Sequence, residues 1–335
     1  MEKNVLALCD LEVDYVLKLS EYIGKKKNLP FDVHAFTDPE AFVAFAKDSR
    51  VDILLISEEA HYELRNMIGT LEIKEIRVLS GEVSGESFSG CRMIYKYQSA
   101  EKLLKEVMCL YAESDKKIFP GSAYSEDTKL IGVYSPVKRS LKTSFAMTLG
   151  QILSEKERVL YINLEEYSGF NNLMKTSYVT DMSDLMYYIS LKKPNFIWKL
   201  ASIVQSVGGL DYIPPALSPV DIKSISHDMW REFFEQLMLC GYGKVILDLG
   251  ESVDGLYDLL RKCSVIYTPV RDDAVSYAKL EQYEALLKNM GYEDVLEKTR
   301  KLSFVYFKGL QRGLDRLVYS ELGAYVRSLL KSAQP

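Results

Sequence analysis

The chain contains no apolar run approaching the roughly 20 residues that a helix needs to cross a bilayer, so a helical membrane span is not expected in its 335 residues. Histidine is scarce. His34, His61 and His227 are too far apart in sequence to suggest a metal-ligand cluster, a Ser-His-Asp triad or a Cys-His pair. The five cysteines, Cys9, Cys91, Cys109, Cys240 and Cys263, are odd in number and form no C-x-x-C, which excludes a disulfide framework. They read as reduced core thiols of a cytosolic protein. There is no excess of positive charge: the formal net charge is −5, which disfavours a nonspecific nucleic-acid binder. The opening Met-Glu-Lys-Asn and the short apolar run after it read as a buried strand rather than a signal peptide.

What is present is an alternation of short apolar strands and helical patterns, in a chain long enough for about two domains. In residues 1–112, strands are expected at Val5 to Leu8, Phe31 to Phe36, Val51 to Ile56, Ile76 to Leu79 and Arg92 to Tyr95. Asp38-Pro39 reads as an N-cap and first helical residue, and Ser99 as the cap of a helix carrying Leu103, Leu104, Val107 and Met108. Five βα-like units imply a parallel sheet with helices on both faces. Residues 113–128 are polar, contain Pro-Gly and read as a linker. The pattern resumes over 129–335, with strands at Lys129 to Tyr134, Arg158 to Leu164, Lys244 to Leu249, Cys263 to Pro269 and Leu302 to Phe307. Helices are expected at Asp228 to Leu239 and Ala278 to Met290. The fold class is therefore α/β, with two doubly wound parallel-sheet domains.

The richest stretch is Ile131 to Phe145. A strand enters a polar loop, the loop ends at Lys142-Thr143, and a helix-like run continues to Leu153. That is the layout of a phosphate-binding P-loop. The loop has no glycine, however: Pro136 and Leu141 stand where G-x-x-x-x-G-K-T has its two. Glycine allows positive φ and close approach of backbone N–H groups to phosphate, so Lys138, Arg139, Ser140 and Leu141 are expected to pinch or refold the cradle. Lys142 is placed to contact a β- or γ-phosphate, and Thr143 to put a hydroxyl on Mg²⁺.

Both halves resemble known families. The first resembles a response-regulator receiver domain. Asp10 fits its acidic corner, Ser57 stands at the phosphoacceptor position, Ser80 fits the Ser/Thr position and Lys96 the lysine position. A serine cannot form the acyl phosphate used by that family, so the resemblance implies a pseudo-receiver used for protein contacts. The second half resembles the MinD/ParA class of deviant Walker ATPases. Leu141, Lys142, Thr143 and Ser144 match the G-K-T-[T/S] end, Asn163 to Glu165 stands for D-x-D, and Val245 to Asp248 matches the Walker B strand. A pseudo-receiver followed by such a domain is the arrangement of the TadZ/CpaE pilus-assembly localisation proteins.

That resemblance implies ATP and Mg²⁺ as ligands. Lys138, Arg139, Ser140, Leu141, Lys142, Thr143, Ser144, Asn163, Glu165 and Asp248 would line the nucleotide, with Thr143 and Asp248 on the metal. The class's signature lysine aligns with Val137; Lys138 is one residue out of register. Together with Asn163 in place of an aspartate, this implies poor hydrolysis, at best a weak ATPase. The expected role is a cytoplasmic positioning or scaffold protein, a homodimer acting with pilus or secretion-assembly proteins at the membrane or cell pole. Specific nucleic-acid binding is not expected. The alternatives are a functional ATPase cycling between monomer and dimer, and a signalling adaptor. The segment Leu314 to Leu330 invites comparison with a peripheral membrane-targeting helix, but Gly323, Glu321 and its few basic residues favour packing onto the domain.

Overall fold

The computed structural model describes residues 4–25, 31–82, 87–88, 90–113, 128–304, 307 and 313–332. Most of the expected linker, residues 114–127, and Tyr306 lie outside them. The chain divides into two compact units, residues 1–123 and 124–335.

In the first unit the elements run β1 (Asn4–Cys9), α1 (Val13–Lys25), β2 (Phe31–Phe36), α2 (Pro39–Asp48), β3 (Val51–Ser57), α3 (Glu58–Leu64), β4 (Ile73–Ser80), β5 (Ser87–Phe88), β6 (Cys91–Tyr95) and α4 (Ala100–Ala112). The sheet order is β2-β1-β3-β4-β6-β5, parallel except for β5. Every residue of β3 is buried, as a central strand covered on both faces requires. The Asp38 carboxylate accepts from the Glu40 N–H with Pro39 opening α2, and Ser99 caps α4 by accepting from Lys102 N–H. One expectation is corrected. Strands β4 and β6 are parallel neighbours, yet among the described residues between them there is no helix, only the two-residue β5. Among those described residues the fourth of the five expected βα units shows no α; the sequence from Gly81 to Gly90 is short, polar and glycine-containing, with no helical apolar stripe.

In the second unit the elements are β7 (Lys129–Val133), α5 (Lys142–Leu153), β8 (Val159–Leu164), α6 (Phe170–Met174), α7 (Met182–Ser190), α8 (Phe196–Ile203), β9 (Gln205–Val207), β10 (Leu210–Ile213), α9 (Pro219–Ser224), α10 (His227–Leu237), β11 (Lys244–Leu249), α11 (Leu256–Lys262), β12 (Val265–Val270), α12 (Ala274–Asn289), α13 (Glu293–Glu297), β13 (Thr299–Ser303) and α14 (Glu321–Ser332). The order β13-β12-β7-β11-β8-β10-β9 puts β7 and β11 side by side at the centre, and only β9 is antiparallel. The last strand ends at Ser303, earlier than the expected Leu302 to Phe307.

The C-terminal segment is not one helix. A 3-10 turn, Leu314–Tyr319, precedes α14, and Leu314, Leu317, Leu322 and Val326 enter the same core as Phe145 and Leu149 of α5. Gln151 of α5 donates its side-chain N–H to the Leu314 carbonyl at 2.8 Å. The apolar face is thus spent on packing. Gly323 makes this possible, since a Cβ there would lie 2.6 Å from the Val318 carbonyl carbon. Although alanine is the better helix former by about 1 kcal/mol, Gly323→Ala is expected to destabilise the second unit by about 1–3 kcal/mol through overpacking, read from chemical denaturation of the whole chain.

Candidate functional site

The strand-to-helix junction after β7 carries the site. Val137 N–H donates to the Ser135 hydroxyl at 3.1 Å, and that hydroxyl donates to the Pro269 carbonyl at 2.6 Å, which fixes the start of the loop against the end of β12. The loop then turns twice into left-handed backbone, at Arg139 (φ 58°) and Leu141 (φ 62°). Leu141 is the position where the G-K-T-[T/S] pattern has glycine. The cradle is therefore neither refolded nor straightened. It keeps a glycine-type path with side chains that resist it, at about 1–2 kcal/mol per residue. Leu141 is the N-cap of α5 and makes no side-chain cap. Among the described residues, the N–H groups of 142–144 have no hydrogen-bond partner, so the first turn of α5 and the loop before it form a nest open to an anion. Ser140 contributes a buried hydroxyl that also lacks a partner, and Ser144 lies in the first turn of α5.

Below the nest, the Asp248 carboxylate is fully buried at the end of β11. One oxygen, Oδ2, accepts from the Thr143 hydroxyl at 2.6 Å, the Tyr161 hydroxyl at 2.9 Å and the Asn163 side-chain N–H at 3.1 Å. The other, Oδ1, has no hydrogen-bond partner among the described residues. Burial pushes the carboxyl up, opposed by the Lys142 charge and by the bonds from Thr143 and Tyr161. Asn163 faces Asp248 across the parallel register. An aspartate there would set two buried carboxylates against each other; the amide supplies a donor instead, and its own oxygen accepts from Glu165 N–H at 3.0 Å. The pair of Thr143 and Asp248, with one carboxylate oxygen unspent, suits a hydrated divalent cation beside phosphate.

The lysine expected to contact phosphate is already engaged. Lys142 is buried, donates to the Leu249 carbonyl at 2.5 Å and forms an ion pair with the Glu165 carboxylate. Its ammonium also lies 5.7 Å from the centre of the Tyr134 ring. Lys138 lies 3.6 Å from Glu166 and 3.8 Å from Glu251, while Arg139 is exposed. Glu166 accepts from the Glu251 N–H at 2.9 Å and the Ser252 hydroxyl at 3.0 Å. Partial burial pushes its carboxyl up, but these bonds, one from its own backbone and the Lys138 charge outweigh burial and hold it below the ordinary glutamate range. Gly250 permits this closeness, for a Cβ there would meet the Leu164 carbonyl at 2.8 Å. Sequence reasoning missed Tyr134, Tyr161 and Glu166. Tyr161 was within reach, being two residues before Asn163 and so on the same face of β8.

In the first unit the structure gathers Asp10 and Lys96 but gives Ser57 and Ser80 local tasks. Lys96 is buried, with its ammonium 2.8 Å from Asp10 and 2.8 Å from Glu12. Glu12, which was also missed, accepts from the Tyr97 hydroxyl at 2.9 Å. Burial works against the Lys96 charge, yet the two carboxylates raise its pKa. The Ser57 hydroxyl accepts from Ala60 N–H at 3.3 Å and caps α3; the Ser80 hydroxyl accepts from Glu82 N–H at 3.1 Å. Burial pushes the neighbouring Cys9 thiol up to about 12, which removes it as a nucleophile. Among the described residues no group of His, Cys, Asp and Glu side chains is arranged to hold a metal by itself, and no helix is long and apolar enough to cross a membrane.

Two tests follow from this geometry. Arg139→Gly relieves a left-handed residue at an exposed position and is expected to stabilise the second unit by about 0.5–1 kcal/mol in chemical denaturation. Beryllofluoride is expected to leave the amide NMR signals around Ser57 and Lys96 unmoved, whereas Ser57→Ala costs about 1 kcal/mol through loss of the cap.

Comparison with known proteins agrees with the first unit's architecture. Residues 2–112 match the family model described as TadZ-like, receiver domain. No curated protein matches the chain. Among solved structures, the chain is similar to a plasmid partition protein of Borrelia burgdorferi bound to AMPPNP, at 13% identity over 60% of this chain and 95% of that one, with a TM-score of 0.45. It is also similar to apo McdA from Cyanthece, at 13% identity over 59% and 93%, TM-score 0.39. A third is the MinC:MinD cell division complex of Aquifex aeolicus, at 13% identity over 61% and 78%, TM-score 0.38. Residues 2–112 are therefore a receiver domain of the TadZ-like family, joined in this chain to a second parallel α/β unit built around a P-loop.

Proposed function

We propose that this chain is a positioning or scaffold protein of pilus or secretion-system assembly, and that its second unit binds Mg-ATP and hydrolyses it slowly. The observation that carries the nucleotide reading is the left-handed cradle at Arg139 and Leu141, kept without glycine above Lys142, Thr143 and Asp248. A retired loop under no demand to hold an anion gains nothing from two strained residues, and strain of this kind collects at working sites. The pilus role is supported by the TadZ-like receiver domain, whose own switch chemistry is closed. On this reading the receiver serves protein contacts at a cytoplasmic site near the membrane or cell pole.

Slow turnover is supported by what surrounds the cradle. The residue beside Asp248 is the neutral Asn163, which is already engaged, so no acid stands there to orient a water. Homodimerisation is supported by apolar side chains at the same end of the sheet as the P-loop. Tyr167 (84% exposed) and Val179 (97%) follow β8, and Leu217 (78%) follows β10. The intact Thr143–Asp248 bond favours a second reading, a competent ATPase that cycles between monomer and dimer.

Calorimetry with Mg-ATP tests the proposal. Binding is expected in the wild type and lost in Lys142→Ala, with turnover well below the roughly 1 per second at which ordinary enzymes begin. No heat at millimolar ATP defeats the nucleotide reading, and turnover at or above that rate favours the cycling enzyme. Analytical ultracentrifugation is expected to show a dimer strengthened by ATP and weakened by salt. Lys138→Ala with Arg139→Ala should remove the nucleotide dependence.

A further inference from the structure

The Glu165 carboxylate sits on the ammonium that a nucleotide's phosphate would need. The D-x-D resemblance casts Glu165 as a nucleotide-site residue; the geometry points to the opposite role. We infer that Glu165 is an internal occupant of the phosphate position on Lys142, which a nucleotide must displace in order to bind. The inference rests on the nucleotide reading above and adds to it a residue that sets affinity.

Four observations support it. Lys142 and Glu165 are both largely withdrawn from water, with side chains 9% and 19% exposed, so their attraction is little screened. A second Lys142 donor is engaged by the Leu249 carbonyl at the end of β11. The nest itself is already shaped, because Arg139 and Leu141 hold their left-handed path and the N–H groups of 142–144 have no hydrogen-bond partner among the described residues. The anion cradle is thus preorganised in all but its lysine. Finally, the next residue repeats the arrangement: Glu166 pairs with Lys138, the second cation of the loop, and is fastened to Ser252 and the Glu251 N–H. Two consecutive acids after β8 therefore neutralise two cations of the P-loop.

A triphosphate offers the same cations several charges at once and also satisfies the N–H groups that the glutamates leave unused. It can therefore win the exchange, but its observed affinity is reduced by whatever holds Glu165 in place. Glu165 lies two residues before the exposed Tyr167, with the fastened Glu166 between them.

The test is calorimetric titration of Mg-ATP into the full chain as wild type, Glu165→Gln and Glu165→Asp. The amide keeps the shape without the charge, and the aspartate keeps the charge but shortens its reach. Both variants are first checked for an unchanged circular dichroism spectrum. Glu165→Gln is expected to bind at least tenfold more tightly, about 1.4 kcal/mol, and Glu165→Asp to lie between it and the wild type. Equal or weaker binding in Glu165→Gln overturns the inference. If no form binds ATP, the nucleotide reading has failed on its own, and the ion pair is decided by a second measurement: acetylation of Lys142 by an N-hydroxysuccinimide ester, followed by peptide mass spectrometry. Acetylation several times faster in Glu165→Gln supports the internal occupant; an unchanged rate overturns it. The same labelling applied to the folded Glu165→Asp protein gives the answer if Glu165→Gln does not fold.

Discussion

A carboxylate with no access to water must find its donors inside the protein, and the second unit is organised around that requirement at Asp248. Its three donors come from two elements: Thr143 at the start of α5, and Tyr161 and Asn163 on β8. Losing any of them leaves an acceptor uncompensated where each unsatisfied group costs about 1–3 kcal/mol. The bond to Thr143 is also what ties the first turn of the P-loop helix to the end of β11. The position of the cradle relative to the sheet, the identity of residue 163 and the inward turn of Lys142 all follow from satisfying one buried charge and its partner.

The two units meet the same electrostatic problem in the same way. Each places a lysine near the C-terminal ends of its parallel strands, where phosphate chemistry is usually done, and each neutralises it with acids of its own chain. Lys96 has Asp10 and Glu12; Lys142 has Glu165. The difference lies in what surrounds the lysine. Around Lys96 the aromatic rings of Tyr15 and Tyr97 close over the ammonium and Ser57 is spent on capping α3, so nothing remains to receive a phosphoryl group. Around Lys142 a ring of unpaired N–H groups and an unspent oxygen of Asp248 remain. One site is complete as it stands, and the other is complete only in charge.

Much of this was legible in the sequence because it is local. The mostly apolar strands Val51 to Ile56 and Val245 to Leu249, the Asp38-Pro39 start of α2 and the Ser99 cap follow from spacing and from the hydrogen-bonding habits of single residues. So did the order of the P-loop parts. What could not be read depends on partners distant in sequence, or on energy held against propensity. Nothing local says that Arg139 and Leu141 take a positive φ; their residue types argue the reverse, and only the surrounding fold can impose it. Glu12 and Glu166 gained their roles from lysines 84 and 28 positions away, Lys96 and Lys138. The edge strands β5 and β9 are too short to leave a periodic trace, and between β4 and β6 the described residues hold no helix, which breaks the expected rhythm.

Those short outer strands have a consequence for how such a chain behaves in a crowded cell. A parallel sheet ends in two rows of unpaired backbone groups, which can recruit another strand and start a fibril. Here one border of the first sheet is only two residues long, and one border of the second is three. The opposite border of the second sheet, β13, carries Arg300 and Lys301 exposed to solvent. Brevity on one side and like charge on the other deny an incoming strand a template at both borders of the second sheet, which leaves β2, six residues long, as the open border of the first.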